Sequence, residues 1–459
     1  MMNGLPALSS SVLSALRTQV RGAIITPGDD GYPAARRVWN AAIDRYPSAI
    51  ISCADAEDVS FALRVASDSG LAVTVRGGGH NVAGRSIRDG ALLLDLSQLR
   101  NVSVNRETRV ATVQGGALWR DVDAATAEAG LATTGGLISS TGVGGFTLGG
   151  GAGWLMRKYG LACDNLRGAG VVLSDGRFVR ASADEHPDLY WGLRGGGGGL
   201  GVVTSFDFNL YPLEHVLAGV VIHPADNAVA ALRAWREFAA DAPAEFCGLV
   251  AIGNAHPLPF LDKSWHGRPA VTFGVCWCGD PEVGKRELAP LLGFGRPLAE
   301  HIAVMPYAGW QQMQDPAAPA GQYYYWKSAN FAALTDSTLE QLAAMAQDLP
   351  TPLTEIHVQH LGGMVTRAAA AGESAFAHRD ARFFVNLLGR RETATHLEEL
   401  REKTRALHAR ISGAALPTVQ TNFSDQDDTD EVRRLGRDQA GELEALRRRY
   451  DAPGTLRVS

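Results

Sequence analysis

The sequence predicts an α+β fold in two domains, and three observations predict it. The first is length: 459 residues are too many for one small core and fit two. The second is the first half, where short apolar strands and amphipathic helices alternate with brief connections. The third is a change of texture after Tyr211-Pro212. From there, alternating strands such as Leu217–Ile222, Leu249–Ile252 and Ala270–Trp277 suit a largely antiparallel sheet.

Composition narrows the class. The chain is 46% hydrophobic and 20% charged, ordinary for a globular protein. A net charge of -6 without a long basic run argues against nucleic acid as a partner. No apolar run approaches a membrane span. Residues Met1 to Ser10 lack the basic and apolar regions of a signal peptide, so a cytoplasmic location is expected. The five cysteines are odd in number and irregular in spacing, which rules against a disulfide framework. Cys276 and Cys278 point the same way along a strand. With no matching Cys/His pair elsewhere they read as small core side chains, and no metal is expected.

In chain order, Leu8, Val12, Leu16 and Val20 recur every four residues and mark an opening helix. A polar turn over Thr26–Gly31 precedes a helix-like stretch, Arg36–Asn40. Asp55–Ser69 reads as a helix with Asp55 as its N-cap and Gly70 as its stop. Strands follow at Ala72–Arg76, Ala91–Leu96 and Arg109–Gln114, then a helix at Ala117–Ala129. Ala169–Leu173 and Arg177–Ala181, joined by Asp175-Gly176, read as a hairpin. Helices are expected at Ala225–Ala240, Glu282–Leu292 and Ser337–Gln347.

Two glycine-rich loops interrupt this pattern. The strand Ala72–Arg76 runs into Gly77, Gly78 and Gly79, then His80, Asn81 and, further on, Gly84. Successive glycines let backbone N–H groups approach an anion, and Arg76 places a positive charge at the loop's mouth. The second loop, Gly135 to Trp154, holds too many glycines for regular structure and too many apolar residues for a linker. A third run offers Gly196, Gly198 and Gly201 in the spacing of a dinucleotide fingerprint. That motif needs a strand before it and a helix after it. Here helix-like Asp188–Leu193 precedes, and an alternating strand through Leu200, Val202, Thr204, Phe206 and Phe208 follows. The Rossmann reading therefore fails.

The run Arg-Gly-Gly-Gly-His-Asn-Val-Ala-Gly, Arg76 to Gly84, resembles the flavin-attachment loop of the berberine-bridge-enzyme-like FAD-linked oxidases, within the vanillyl-alcohol-oxidase/p-cresol-methylhydroxylase superfamily. The resemblance covers nearly the whole chain. It implies a two-domain PCMH-type FAD-binding fold: residues 1–212 bind FAD, 213–416 form the substrate domain, and 417–459 return to the first. It implies that His80 carries FAD through its 8α-methyl carbon. The cofactor contacts it implies are Arg76, Gly77, Gly78, Gly79, His80, Asn81, Gly84 and Ser86 in the first loop. In the second they are Gly136, Thr141, Gly142, Gly144, Gly145, Gly150, Gly153 and Trp154, with Gly201, Val203 and Asn422 beyond. Most relatives carry Asn-Phe where this chain has Gly199-Leu200. In doubly linked relatives a cysteine bonds flavin C6; the matching position here is Ile138, and Cys163 lies 25 residues further on, so a single attachment is expected. The texture resembles the bacterial single-histidine branch, which includes 6-hydroxynicotine oxidase and the enterocin-pathway favorskiiase.

The chemistry so implied is oxidation of a small organic molecule, in bacterial secondary metabolism, by hydride transfer to flavin with O2 as acceptor. Carbohydrate or alcohol oxidation is the alternative, as is a flavin-containing cyclase or binding protein without net turnover. A flavin handles electrons; the protein must orient substrate and remove a proton. Tyr325 and Lys327 share one face of a strand and match a recurrent family pattern. Glu355, His357 and Gln359 share a face of another, opposite apolar Ile356 and Val358. The polar face belongs either to a cleft or to solvent. Tyr325, Lys327, His357 and Gln359 are the catalytic candidates. His378-Arg379-Asp380 also match the family, with a structural ion pair as the expected role. Many relatives place a tyrosine base where this chain has Gln420, which cannot serve as one.

Overall fold

The computed structural model describes residues 8–367 and 373–456. Parallel strands Ala49–Ser52, Leu92–Asp95 and Val73–Arg76 lie side by side, with Ala23–Ile25 antiparallel at one edge. Parallel strands are buried on both faces, and Ile50, Ile51, Leu92, Leu93 and Leu94 are all buried here. The helix Ala56–Asp68 lays Val59, Ala62, Leu63 and Ala66 on them. Its N-cap is Asp55, whose carboxylate accepts from the Asp58 amide.

A second sheet is wholly antiparallel, in the order Val102–Asn105, Val110–Gln114, Val202–Asn209, Leu166–Val172 and Phe178–Ser182. Its last two strands form the hairpin around Asp175-Gly176.

Beyond Pro212 seven antiparallel strands form one sheet. Their order is Ala299–Pro306, His215–Pro224, Pro269–Trp277, Phe246–Asn254, Glu355–His360, Phe383–Arg391 and Tyr323–Phe331. One face packs Val250, Phe273 and Val385 against helices carrying Trp235, Leu288, Leu339 and Leu407. The opposite face packs Ala218, Leu249 and Cys276 against Trp154, Leu155 and Met156 of the first half. Cys276 and Cys278 are both buried there. The chain then returns: helix Arg437–Tyr450 sends Leu443 and Leu446 into the core of the five-stranded sheet, and the Val73 amide donates to the Thr455 carbonyl.

Two expectations need correction. Arg36–Asn40 is not helical; the helix is Tyr32–Ala35, with Pro33 in its first turn. Trp39 and Asn40 are committed elsewhere. The Trp39 amide donates to Gly79 O, and the Asn40 side chain donates to Val82 O and Tyr324 O. Conversely, Val143–Leu148 is a short helix inside the second glycine loop. Packing overrides the weak propensity of Gly144 and Gly145, because Val143 and Phe146 are buried with Trp119 and Phe206.

Candidate active site

The two glycine loops meet face to face. A Cβ added to Gly78 would lie 2.4 Å from the Gly142 amide nitrogen, and one on Gly142 would lie 2.2 Å from that of Gly78. No side chain fits between them, so the contact requires glycine on both sides. The pair walls a long cavity of about 370 Å³ that continues under the seven-stranded sheet. Gly77, Gly78, Gly79, His80, Asn81, Ser86, Gly136, Thr141, Gly142, Gly144, Gly145, Gly201, Val203 and Asn422 line it.

His80 projects from the first loop and is fixed on two sides. Its Nε2 lies 2.8 Å from Ser140 Oγ, and its ring stacks on Trp39 with centroids 4.6 Å apart. Burial pushes its pKa down to about 4, so the ring is neutral at ordinary pH. Trp39 stacks in turn on Tyr324, which ties the loop to the seven-stranded sheet.

The sheet's contribution follows from register. Directly opposed residues share a face, and three cross-strand rows approach the cavity: Trp326–Leu388–Glu355, Ser328–Asn386–His357 and Asn330–Phe384–Gln359. Trp326, Leu388, Glu355, Asn386, His357, Phe384 and Gln359 line it. Glu355 sits between two imidazoles, 2.8 Å from His357 Nε2 and 2.6 Å from His256 Nε2. Burial alone would raise its carboxyl, but these hydrogen bonds reverse that and hold it well below the ordinary range. With Nε2 committed to Glu355, Nδ1 is the His357 atom left for a ligand. Gln359 Oε1 and Asn386 Oδ1 are buried without a partner, as expected of groups that await one.

Several expected site residues lie elsewhere. Arg76 turns inward, pairs with Asp95 at 2.7 Å and donates to Ala35 O and Arg37 O, so it does not guard the loop's mouth. Gly84 packs on Ile43, Gly150 on Phe376 and Gly153 on the Gly135 carbonyl. Trp154 is buried against Trp310. None of these five lines the cavity. Tyr325 and Lys327 are also absent from it, because they occupy the face of Tyr323–Phe331 opposite Trp326. Lys327 Nζ lies 3.0 Å from Asp425 and 3.4 Å from Asp428, and Tyr325 donates to Asp427. Gln420 is buried and bonds Asn330. Arg379 pairs with Asp164 at 2.5 Å. Ile138 lines the cavity, whereas Cys163 is fully buried and does not.

Cavity-lining residues missed from the sequence are Trp39, Trp326, Asn386, Arg85, Arg434 and Arg447; His256, which bonds Glu355 from outside the cavity, was missed as well. Arg85, Arg434 and Arg447 line the cavity together with Gly196–Gly199 and supply positive charge, Arg447 while paired with Glu431 at 2.6 Å. The cavity suits a long, flat, anionic dinucleotide. A Cβ on Gly145 or Gly197 would meet no protein atom within 4 Å and would project into the open space. Thr74 Oγ1 and Ser86 Oγ line it as buried hydroxyls without partners.

Comparison with known proteins agrees. The FAD binding domain family matches residues 47–182. The chain is 34% identical over 310 residues to (R)-6-hydroxynicotine oxidase of Paenarthrobacter nicotinovorans, covering 65% of this chain and 64% of that relative. The solved structure of 6-hydroxy-D-nicotine oxidase from Arthrobacter nicotinovorans superposes with a TM-score of 0.85 at 27% identity, over 98% of each chain. In sequence and fold this chain is similar to FAD-linked oxidoreductases. The BBE-like 1 protein of Physcomitrella patens shares the fold, with a TM-score of 0.87 at 19% identity over 97% of each chain. The BBE-like fold is mixed α and β with antiparallel sheets, and the enzyme is an FAD-dependent oxidoreductase. Among the described residues, no helix is long and apolar enough to cross a membrane, and no cluster of metal-ligating side chains occurs.

Proposed function

We propose that this BBE-like chain oxidises a small organic molecule, with one FAD bound covalently at His80 and O2 as the electron acceptor. The likeness to (R)-6-hydroxynicotine oxidase supports a place in the bacterial single-histidine branch, and with it a role in secondary metabolism. When bound, FAD supplies the two-electron acceptor. The Gly77–Gly79 and Gly142–Gly145 backbones, Ser86, Thr141 and Asn422 hold it. Ser140 occupies His80 Nε2 and leaves Nδ1 of a neutral ring for the covalent bond. Ile138 and buried Cys163 offer no second nucleophile.

The observation that carries the catalytic reading is the Glu355–His357 pair facing the same cavity as His80. Glu355 fixes the imidazole through Nε2, and Nδ1 takes the proton that substrate oxidation releases. Gln359 and Asn386 orient the substrate through their unpaired oxygens. Trp39, Trp326, Phe384 and Leu388 keep water out. His357 and Gln359 thus keep a catalytic assignment, and Tyr325 and Lys327 lose theirs.

The test is anaerobic mixing of the flavin-loaded enzyme with a panel of secondary amines and alcohols. A substrate should bleach the flavin absorbance, and admitting air should restore it. His357→Gln should slow bleaching by about 10²–10⁴-fold. Bleaching at an unchanged rate in that variant would remove His357 from the mechanism. Flavin released from wild-type protein by acid would remove the covalent bond.

A further inference from the structure

The strand that presents Glu355, His357 and Gln359 ends at His360, which faces the other way. There it meets a second cavity, of about 300 Å³. The side-chain polarity of that cavity comes from Arg157, Arg236, Arg382, His360 and Thr366, and no carboxylate among the described residues lines it.

The four basic residues differ in how far they are satisfied. Arg236 is committed to Asp336, at 2.6 Å, and to the Leu334 carbonyl. Arg157 is buried, and its terminal nitrogens donate to the Pro243, Ala242 and Phe246 carbonyls. Its Nε is buried without a partner. His360 is 6% exposed, stacks on Phe383, and has Nδ1 buried without a partner. Burial, then Arg157 and Arg382, push its pKa down to about 3.

Gly362, at φ 56, brings these groups to one point. A Cβ there would lie 2.9 Å from His360 Nε2 and 3.5 Å from Arg157 Nε. A side chain at 362 would therefore fill the space between them. Arg382 is exposed at the rim. A pocket lined by arginines and no carboxylate among the described residues, with Arg157 Nε and a His360 ring nitrogen buried and unpartnered, lacks only its counter-charge. We infer that this cavity binds a small organic oxyanion, a carboxylate or phosphate group held by Arg382, Arg157 Nε and His360. Its volume sits at the lower end of the range for small-molecule sites, about 300–1,000 Å³, and exceeds what one inorganic ion fills.

The test uses full-length, flavin-loaded protein titrated with inorganic phosphate or with acetate, against sodium chloride at matched ionic strength. Thermal unfolding and the NMR signals of the His360 ring are followed. Phosphate or acetate should raise the unfolding midpoint saturably and shift His360 towards its protonated form, while chloride does neither. The arm that saturates names the head group. Arg382→Ala sits at the rim and should fold normally yet weaken the apparent affinity at least tenfold; His360→Gln should weaken it too. Equal effects of all three salts would overturn the proposal. So would wild-type affinity in Arg382→Ala.

Discussion

The glycine cradle and the seven-stranded sheet border one cavity and are built on opposite principles. In the cradle the backbone does the binding, and side chains are excluded by contacts such as Gly78 against Gly142. The histidine it turns to the cavity, His80, is kept neutral. The sheet presents side chains: a carboxylate between two imidazoles, two amides and an aromatic wall. A binding surface made of backbone is fixed by where glycine occurs. One made of side chains is fixed by which face of each strand is turned inward.

The largest expected effect tests the cradle. His80→Ala should abolish covalent flavin, read as complete loss of flavin fluorescence from the denatured protein on a gel. Its pH dependence sharpens the point. A ring with its pKa lowered to about 4 stays neutral, and so nucleophilic, above that value. Covalent uptake of FAD by apoprotein should therefore be as complete at pH 5.5 as at pH 7.5. An ordinary histidine would already be mostly protonated at the lower pH. A marked fall in uptake between those values would show that burial does not control the ring.

The next effect separates the two faces of Tyr323–Phe331. Lys327→Met strands Asp425 and Asp428 without their cation and should cost about 3–5 kcal/mol at pH 7 by denaturant unfolding. Burial and Asp428 outweigh Lys327 and already raise the Asp425 pKa to about 6. Without the cation Asp425 takes up its proton at higher pH than in the wild type, so the deficit should shrink as pH falls towards 6. Its flavin spectrum should stay as in the wild type. Trp326→Ala, one residue away, should do the reverse: change the spectrum and substrate KM with little change near Asp425.

This strand also marks what the sequence could disclose. Tyr-Tyr-Tyr-Trp-Lys-Ser carries large or polar residues on both faces, so alternation gives no sign of which one points inward. In Glu355–His360 the other face holds Ile356 and Val358, so alternation separates the polar side from the core but leaves cleft and solvent open; Glu355, His357 and Gln359 line the cavity. The cradle was legible because only glycine permits its contacts. Trp39 was not, since it is placed by partners at Gly79 and Ala318, one of them 279 residues away. His256 was hidden for the same reason: it lies in a loop, 99 residues from the carboxylate it bonds.

A smaller effect probes the cradle's two kinds of glycine. Gly142→Ala forces a contact at 2.2 Å and should destabilise the apoprotein by about 1–3 kcal/mol as well as impair FAD uptake. Gly145→Ala meets no protein atom and lies within the helix Val143–Leu148. It should stabilise the apoprotein by about 0.5–1 kcal/mol while still impairing uptake, because its methyl enters the space the cofactor needs. Equal uptake in wild type and Gly145→Ala would place the cofactor away from this wall.

The smallest effect concerns His256, which touches neither the cavity nor its contents. It shares the Glu355 carboxylate with His357, and its side chain is 45% exposed. The hydrogen bond that His256 donates to Glu355 raises its pKa, burial and Arg390 opposing. A protonated His256 therefore draws part of the carboxylate's charge away from His357. Removing it in His256→Ala should free one side of the carboxylate that orients His357. The loss in kcat/KM should be largest at low pH, where His256 carries its proton, and shrink as pH rises through its raised pKa. Loss of one hydrogen bond to a charged group, about 1.5 kcal/mol, sets the decrease in kcat/KM at pH 7 near tenfold. His256→Gln can still donate to Glu355 but carries no charge. It should restore most of the rate at high pH and less at low pH, where the His256 charge is missing. A purely structural His256 would lower activity equally at every pH, and a pH-independent loss in His256→Ala would reduce it to that.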